Sequence, residues 1–193
     1  MNSSVKRLDP WAAVLAIATL LFPPVAALGM RWVGPWPIVG GLIVCLLLRV
    51  VVPAAVPVPI EMTLCLLAVA AGELIVSVAD PELAARLYPV FMSATMLIAF
   101  GLTLWKPPSM IERFARIAEP DLDLRGVAYT RKVTWVWMGF FLVNGSIALW
   151  TALHGTWLVW GVYNGGISYA LAGALFAGEF LVRQIVRARR GKA

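Results

Sequence analysis

Three side chains in this sequence place hydrogen-bonding or acid–base capacity in an apolar setting. They are Glu73 in LAVAAGELIVSVAD, Asn144 in FFLVNGSIALW and Asn164 in WGVYNGGISYALAGALFAGE. Ionisable groups are costly to keep in hydrocarbon, so those that persist there are functional candidates. Glu73 has apolar neighbours along its helix, and its carboxyl can carry a proton, hold a substrate, or accept hydrogen bonds from Asn144, Asn164, Tyr163, Thr95 or Ser93. The two asparagines each precede glycine, pairing an amide that can bond across helices with a residue that lets a neighbour come close. Glu73, Asn144 and Asn164 together form a candidate intramembrane polar site. Two other acids read as less specific. Glu61 stands at the start of an apolar run and reads as an interface residue, whereas Glu179 has Arg183 four residues on, the favourable order for a helical ion pair.

A second group of chemically capable residues lies in KPPSMIERFARIAEPDLDLRGVAYTRK. Glu119, Asp121 and Asp123 are spaced closely enough to hold a divalent cation or a cationic partner. Arg125 and Arg131 are also close enough to neutralise them, which favours solvated ion pairs. With Arg113, Arg116 and Arg125, these acids make up a candidate contact surface. The single histidine, His154, cannot build a histidine-rich metal site or a Ser-His-Asp triad. There is no Gly-Lys-Ser/Thr phosphate loop, and Cys45 and Cys65 form no C-x-x-C. The expectation is a protein that is not an enzyme and uses no cofactor or metal.

The elements that must position these residues follow from composition. The 193 residues are 61% apolar and only 13% charged, whereas soluble domains carry roughly 25% charged residues. A bilayer accommodates such a chain because lipid solvates apolar surface. The hydropathy pattern predicts an all-α fold, a single polytopic membrane helix bundle with about six transmembrane spans. These are 11–28, 35–52, 58–79, 87–105, 133–153 and 158–182, with a polar segment at 106–132. Pro53, Pro57 and Pro59 mark a turn between the second and third spans. The first apolar run follows Lys6 and Arg7 in the manner of a secretory signal, but its length and Pro23-Pro24 favour a retained helix.

Lys and Arg set the expected orientation. With the N-terminus inside, 14 of the 16 basic residues fall in inside segments, and only Arg31 and Arg86 fall outside. Both termini and segment 106–132 are therefore expected on the cytoplasmic side of the membrane. The net charge of +6 then fringes helix ends, where anionic head groups sit, and no nucleic-acid partner is implied. The nine tryptophans fall near span ends and read as an interfacial belt.

Within 106–132, Pro107-Pro108 end one helix and Pro120 ends the next. Ser109 and Glu112 have capping-box spacing. Met110, Ile111, Phe114, Ile117 and Ala118 recur on one face, opposite Glu112, Arg113, Arg116 and Glu119. The pattern predicts a short amphipathic helix between the fourth and fifth spans, lying in the membrane interface or packed as a connector on the base of the bundle. In the sixth span, small residues recur at four-residue spacing: Gly161 and Gly165, Gly166 and Ala170, Ala174 and Gly178. They favour close helix contact, either within the chain or in a homo-oligomer.

Lys106-Pro107, Ile111, Arg113, Trp135, Phe140, Phe141, Asn144 and Gly145, in about a quarter of the chain, resemble a family of small bacterial inner-membrane proteins. Members of that type are sometimes encoded with aryl-polyene or fatty-acid-like biosynthesis genes. The same residues are more distantly similar to the intracellular septation protein A family, although Pro108 and the acidic stretch Glu119–Asp123 depart from its pattern. The resemblance implies a multi-span envelope protein with no established catalytic site. The leading expectation is a non-enzymatic accessory of cell-envelope or lipid-linked biosynthesis, contacting membrane lipids and a cytoplasmic or membrane protein. The alternative is a small proton-coupled transporter or flippase centred on Glu73 and Asn144.

Overall fold

The structure, a computed structural model, describes residues 14, 18, 21–51 and 60–190, with side chains at all of these except 31, 49–51, 60–62, 118 and 185–190. Among the described residues the regular structure is entirely helical. The helices are α1 (Phe22–Val33), α2 (Pro35–Val51), α3 (Ile60–Ala79), α4 (Pro81–Trp105), α5 (Met110–Ala118), α6 (Leu124–His154), α7 (Trp157–Val162) and α8 (Ser168–Arg190). A π turn, Tyr163–Ile167, joins α7 to α8 without a break.

Three helices are long and apolar enough to cross a membrane: α4, α6 and the stretch Trp157–Gln184. They mark the chain as a membrane protein. Shorter apolar stretches, Pro35–Leu48 and Thr63–Ala79, belong to α2 and α3. The expected turn at Pro53, Pro57 and Pro59 lies outside the described residues, as does most of the first expected span. The later part of that span enters α1, with Pro23 and Pro24 in its first turn, where proline's missing N–H is least costly.

Two helices begin earlier than hydropathy indicates, because polar caps rather than apolar residues set their starts. Asp80 accepts hydrogen bonds from the backbone N–H groups of Glu82 and Leu83 at 3.0 and 2.9 Å, and Pro81 follows it. Asp123 accepts from Gly126 N–H at 2.7 Å, so 124–132, expected to be part of a polar connection, is the start of α6. At the other end of α4, helix stops at Trp105, just before Pro107-Pro108.

The connections at one end of the bundle are short. Gly34 alone, at φ +77°, turns α1 into α2; this left-handed backbone suits a residue without Cβ. Asp80 alone separates α3 from α4, and Gly155-Thr156 separate α6 from α7. The main core lies toward this end, where Phe22 of α1, Leu46 of α2, Val69 of α3, Tyr88 of α4 and Trp160 of α7 share one buried cluster. A second core at the other end joins Phe100 of α4 and Met110 of α5 to Phe141 of α6. The Phe100 and Phe141 rings meet edge to face at 5.1 Å between centroids. Helix α4 is the central element, packed on α3 along one side and on α6 along another.

The tryptophans differ in their surroundings. Trp32, Trp36, Trp105, Trp135 and Trp150 are exposed, as side chains facing an interface would be. Trp160 is instead fully buried, and its Nε1–H donates to the Arg86 carbonyl at 2.9 Å. A buried indole is retained when its N–H is satisfied, and here the acceptor is main chain.

Candidate functional site

Helix α3 buries one stripe, Leu66, Val69, Ala70, Glu73 and Ser77. The intervals of three and four residues put Glu73 on the same face as core aliphatics. Glu73 is 0% exposed, and neither carboxyl oxygen has a hydrogen-bond partner among the described residues. Ser77 bonds within its own helix, to the Leu74 carbonyl at 2.9 Å. A charge in such surroundings is strongly disfavoured unless a proton or cation neutralises it.

Asn144 and Asn164 are engaged elsewhere. The Asn144 side-chain N–H donates to Ser93 Oγ on α4 at 3.2 Å, and the Tyr163 hydroxyl donates to Asn144 Oδ1 at 3.1 Å. This chain ties α4, α6 and the π turn together. At the next residue, Gly145, the helices approach closely, since a Cβ there would stand 2.9 Å from the Ser93 Cβ. Asn164 donates to Thr151 Oγ1 at 3.1 Å and to the Trp160 carbonyl at 3.0 Å. Its Oδ1 is buried without a partner. In the π turn the Ser168 N–H reaches back to the Tyr163 carbonyl, the i→i+5 pattern that concentrates at working sites in helical proteins. The two asparagines thus lie in adjoining hydrogen-bonded groups at the α4–α6–π-turn junction, whereas Glu73 stands on the buried stripe of α3. Thr95, another expected donor to Glu73, bonds to the Phe91 and Met92 carbonyls.

Gly161 and Gly165 make their close contact within the chain. A Cβ on Gly161 would lie 2.6 Å from the Ala27 Cβ, and one on Gly165 would lie 3.2 Å from Pro24. Gly166 and Gly178 have open space beside them.

At the short-turn end a polar knot holds α4 to α7. The Arg86 Nη1 group donates to the Gly155 carbonyl at 2.7 Å and its Nη2 group to Glu82 Oε1 at 3.0 Å. Its guanidinium also lies 4.4 Å over the Trp157 ring. Trp157 Nε1–H donates to the same Glu82 oxygen at 2.8 Å. Sequence reading assigned these residues no joint role. The signal was present: Asp80-Pro81 is a helix start, and Arg86 follows Glu82 at i+4, as Arg183 follows Glu179. The structure forms the first pair and, among the described residues, no ion pair between Glu179 and Arg183.

At the opposite end, α5 starts without the expected capping box. Ser109 Oγ makes no hydrogen bond, and Glu112 turns to Arg116, whose Nε and Nη2 groups donate to Glu112 Oε1 at 2.9 and 2.8 Å. Threonines of the neighbouring helices serve the free N–H groups instead. Met110 N–H donates to Thr103 Oγ1 at 2.9 Å and Ile111 N–H to Thr134 Oγ1 at 3.4 Å. Each hydroxyl in turn donates to a carbonyl of its own helix, Phe100 and Thr130 respectively. The expected apolar face is therefore divided. Met110 is buried in the second core, while Phe114 and Ile117 remain 53% and 68% exposed.

The remaining candidate contact residues have mostly local bonds. Arg113 donates to the Pro108 carbonyl at 3.1 Å and Arg116 to the Pro120 carbonyl at 3.0 Å. Asp123 caps α6, Glu119 is half-buried, and Asp121 and Arg125 are exposed. Among the described residues no group of three or more His, Cys, Asp and Glu side chains is gathered to hold a metal ion. Compared with protein-family models, curated proteins and solved structures, the chain matches none.

Proposed function

We propose that the chain is a six-span protein of a bacterial inner membrane, with both ends cytoplasmic, and that it serves cell-envelope or lipid-linked biosynthesis as a non-enzymatic accessory. The observation that carries this reading is α5. Two buried threonines of α4 and α6 hold the start of the helix, and the Glu112–Arg116 pair braces it internally, yet Phe114 and Ile117 project from it. A fixed helix with an uncovered apolar edge and basic flanks is suited to an interfacial contact, with lipid or with a membrane-bound partner. Arg113, Arg116, Glu119, Asp121, Asp123 and Arg125 occupy the same end and supply its polar border. The experiment is affinity purification of the full chain beside Phe114→Ser/Ile117→Ser, with folding checked by elution and circular dichroism. A specific envelope-biosynthesis protein should accompany the native chain and be lost from the variant. An unchanged set of companions would defeat the accessory reading.

Glu73 favours a second reading, a small proton-coupled transporter or flippase. A fully buried carboxyl with no hydrogen-bond partner among the described residues is matched to reversible proton binding. In this reading Asn144, bonded between Ser93 and Tyr163, is the second polar group in the working set, with the Glu73 carboxyl. Proteoliposomes holding the native chain should show proton flux that Glu73→Gln abolishes. An apolar carbodiimide should label Glu73 in the native chain. Flux that survives Glu73→Gln would eliminate this alternative.

A further inference from the structure

The last helix is knit to α6 at one end and diverges from it toward the other. Near Gly155 the junction includes the Asn164–Thr151 bond, whereas near α5 the link is a long contact, 3.5 Å from the Tyr129 hydroxyl to the Glu179 carbonyl. The most apolar window of Trp157–Gln184 has none of its residues buried. Between the diverging helices lies a groove of about 400 Å³. Val136 and Trp137 of α6 and Leu175 of α8 give it apolar lining, and Tyr129, Lys132 and Glu179 give it polar lining toward the start of α6, which serves as its mouth. The eight steps from Tyr129 to Trp137 correspond to roughly 12 Å along the helix, at 1.5 Å per residue. The groove is open where α8 lines it, since a Cβ added at Gly178 would meet nothing within 4 Å.

At the mouth Lys132 and Glu179 line the groove from facing helices, and Arg183, one turn beyond Glu179, also acts electrostatically on Tyr129. Lys132 and Glu179 form no ion pair with each other or with another described side chain. We propose that this groove binds a phospholipid with a zwitterionic primary-amine head group, phosphatidylethanolamine. Its phosphate lies on Lys132 and the Tyr129 hydroxyl, its ammonium on Glu179, and one acyl chain along Val136, Trp137 and Leu175. Charge complementarity selects this occupant. A purely anionic head group would meet the Glu179 carboxylate with nothing to offer it. A choline head group would bring a cation with no N–H to donate, whereas an ammonium has three. The acyl chain supplies the apolar contact that the diverging helices leave unmade.

The test uses the full chain in nanodiscs containing equal parts of phosphatidylethanolamine, phosphatidylglycerol and phosphatidylcholine, with retained lipid identified by native mass spectrometry. Phosphatidylethanolamine should be enriched about tenfold over each of the others, equivalent to about 1.4 kcal/mol. Lys132→Glu and Glu179→Lys should each abolish the preference, and the double exchange should restore it by reversing the pair. Lys132→Met and Glu179→Gln carry the same expectation as the single reversals without adding a wrong-sign charge. Gly178→Leu should fill the groove and remove bound lipid while elution and helical content stay unchanged. Phosphatidylglycerol retained as well as phosphatidylethanolamine would overturn the proposal. So would lipid retention that Gly178→Leu leaves intact, or cysteine cross-links showing a second copy seated at Gly178.

Discussion

Asn144 donates to Ser93 Oγ at 3.2 Å from a position directly before Gly145, the residue against which the Ser93 Cβ closes. The hydrogen bond and the close approach depend on each other, because an amide of fixed length reaches α4 only where α6 lacks a side chain. Gly145→Ala should therefore separate the helices and cost about 1–3 kcal/mol, the range for overpacking. Ser93→Gly in the same chain should recover part of that loss. Unfolding by sodium dodecyl sulfate in mixed micelles, monitored by circular dichroism, measures both. Gly145→Ala that unfolds like the native chain would mean that α4 and α6 are not so close.

The contact between Gly161 and Ala27 predicts a reciprocal exchange. Gly161→Ala places its Cβ 2.6 Å from that of Ala27 and should destabilise the chain by a similar 1–3 kcal/mol, roughly, whereas Ala27→Gly/Gly161→Ala should approach native stability. If the single and double variants unfold together, α1 does not use this glycine as its seat.

Arg86 and Glu82 share an ion pair but should not be equally important. The Glu82 side chain is 50% exposed and that of Arg86 15%. An exposed pair is worth about 0–1 kcal/mol, so Glu82→Gln should be mild. Arg86→Lys keeps the charge but loses the planar fork that meets the Gly155 carbonyl, Glu82 and the Trp157 face together. It should cost about 1–3 kcal/mol, the range for an interaction removed from a buried polar group. The same micelle titration ranks them, and equal losses would contradict the assignment.

Thr103 and Ser109 separate two ways of starting α5. Thr103→Val removes the acceptor of a buried N–H and should speed amide exchange at 110–113, at a cost of about 1–3 kcal/mol. Ser109→Ala should leave exchange unchanged and should not destabilise the chain, as it removes a buried hydroxyl that makes no bond among the described residues. The reverse ranking would reinstate the capping box.

Helix was legible because long apolar runs and proline boundaries are local signals, and so was the short helix starting at Met110. The extra turns of α4 and α6 were hidden behind polar residues that hydropathy reads as loop, although Asp80 and Asp123 are both favoured cap types. Burial of Glu73 followed from its neighbours, but the partners of Asn144 and Asn164 did not. Which of several polar groups meet depends on helix rotation and separation, set here by Gly145 and the π turn and carried by no single spacing. The same limit hid the exchange of Ser109 for Thr103. Local pattern identifies a helix start, while a neighbouring helix decides which hydroxyl serves it.

Arg86 has a consequence for how the chain is made. Its Gly155 acceptor is 69 residues later in the sequence, and the indoles of Trp157 and Trp160 emerge later still. At about 5–20 residues per second of synthesis, the first turns of α4 exist for several seconds before their partners leave the ribosome. During that interval Glu82, on the same helix, is the partner already present for the guanidinium, and its remaining N–H groups depend on water or lipid phosphate. A nascent chain cut short before Gly155 therefore keeps only the Glu82 partner within its own helix and leaves the contacts of Arg86 to Gly155 and Trp157 unmade.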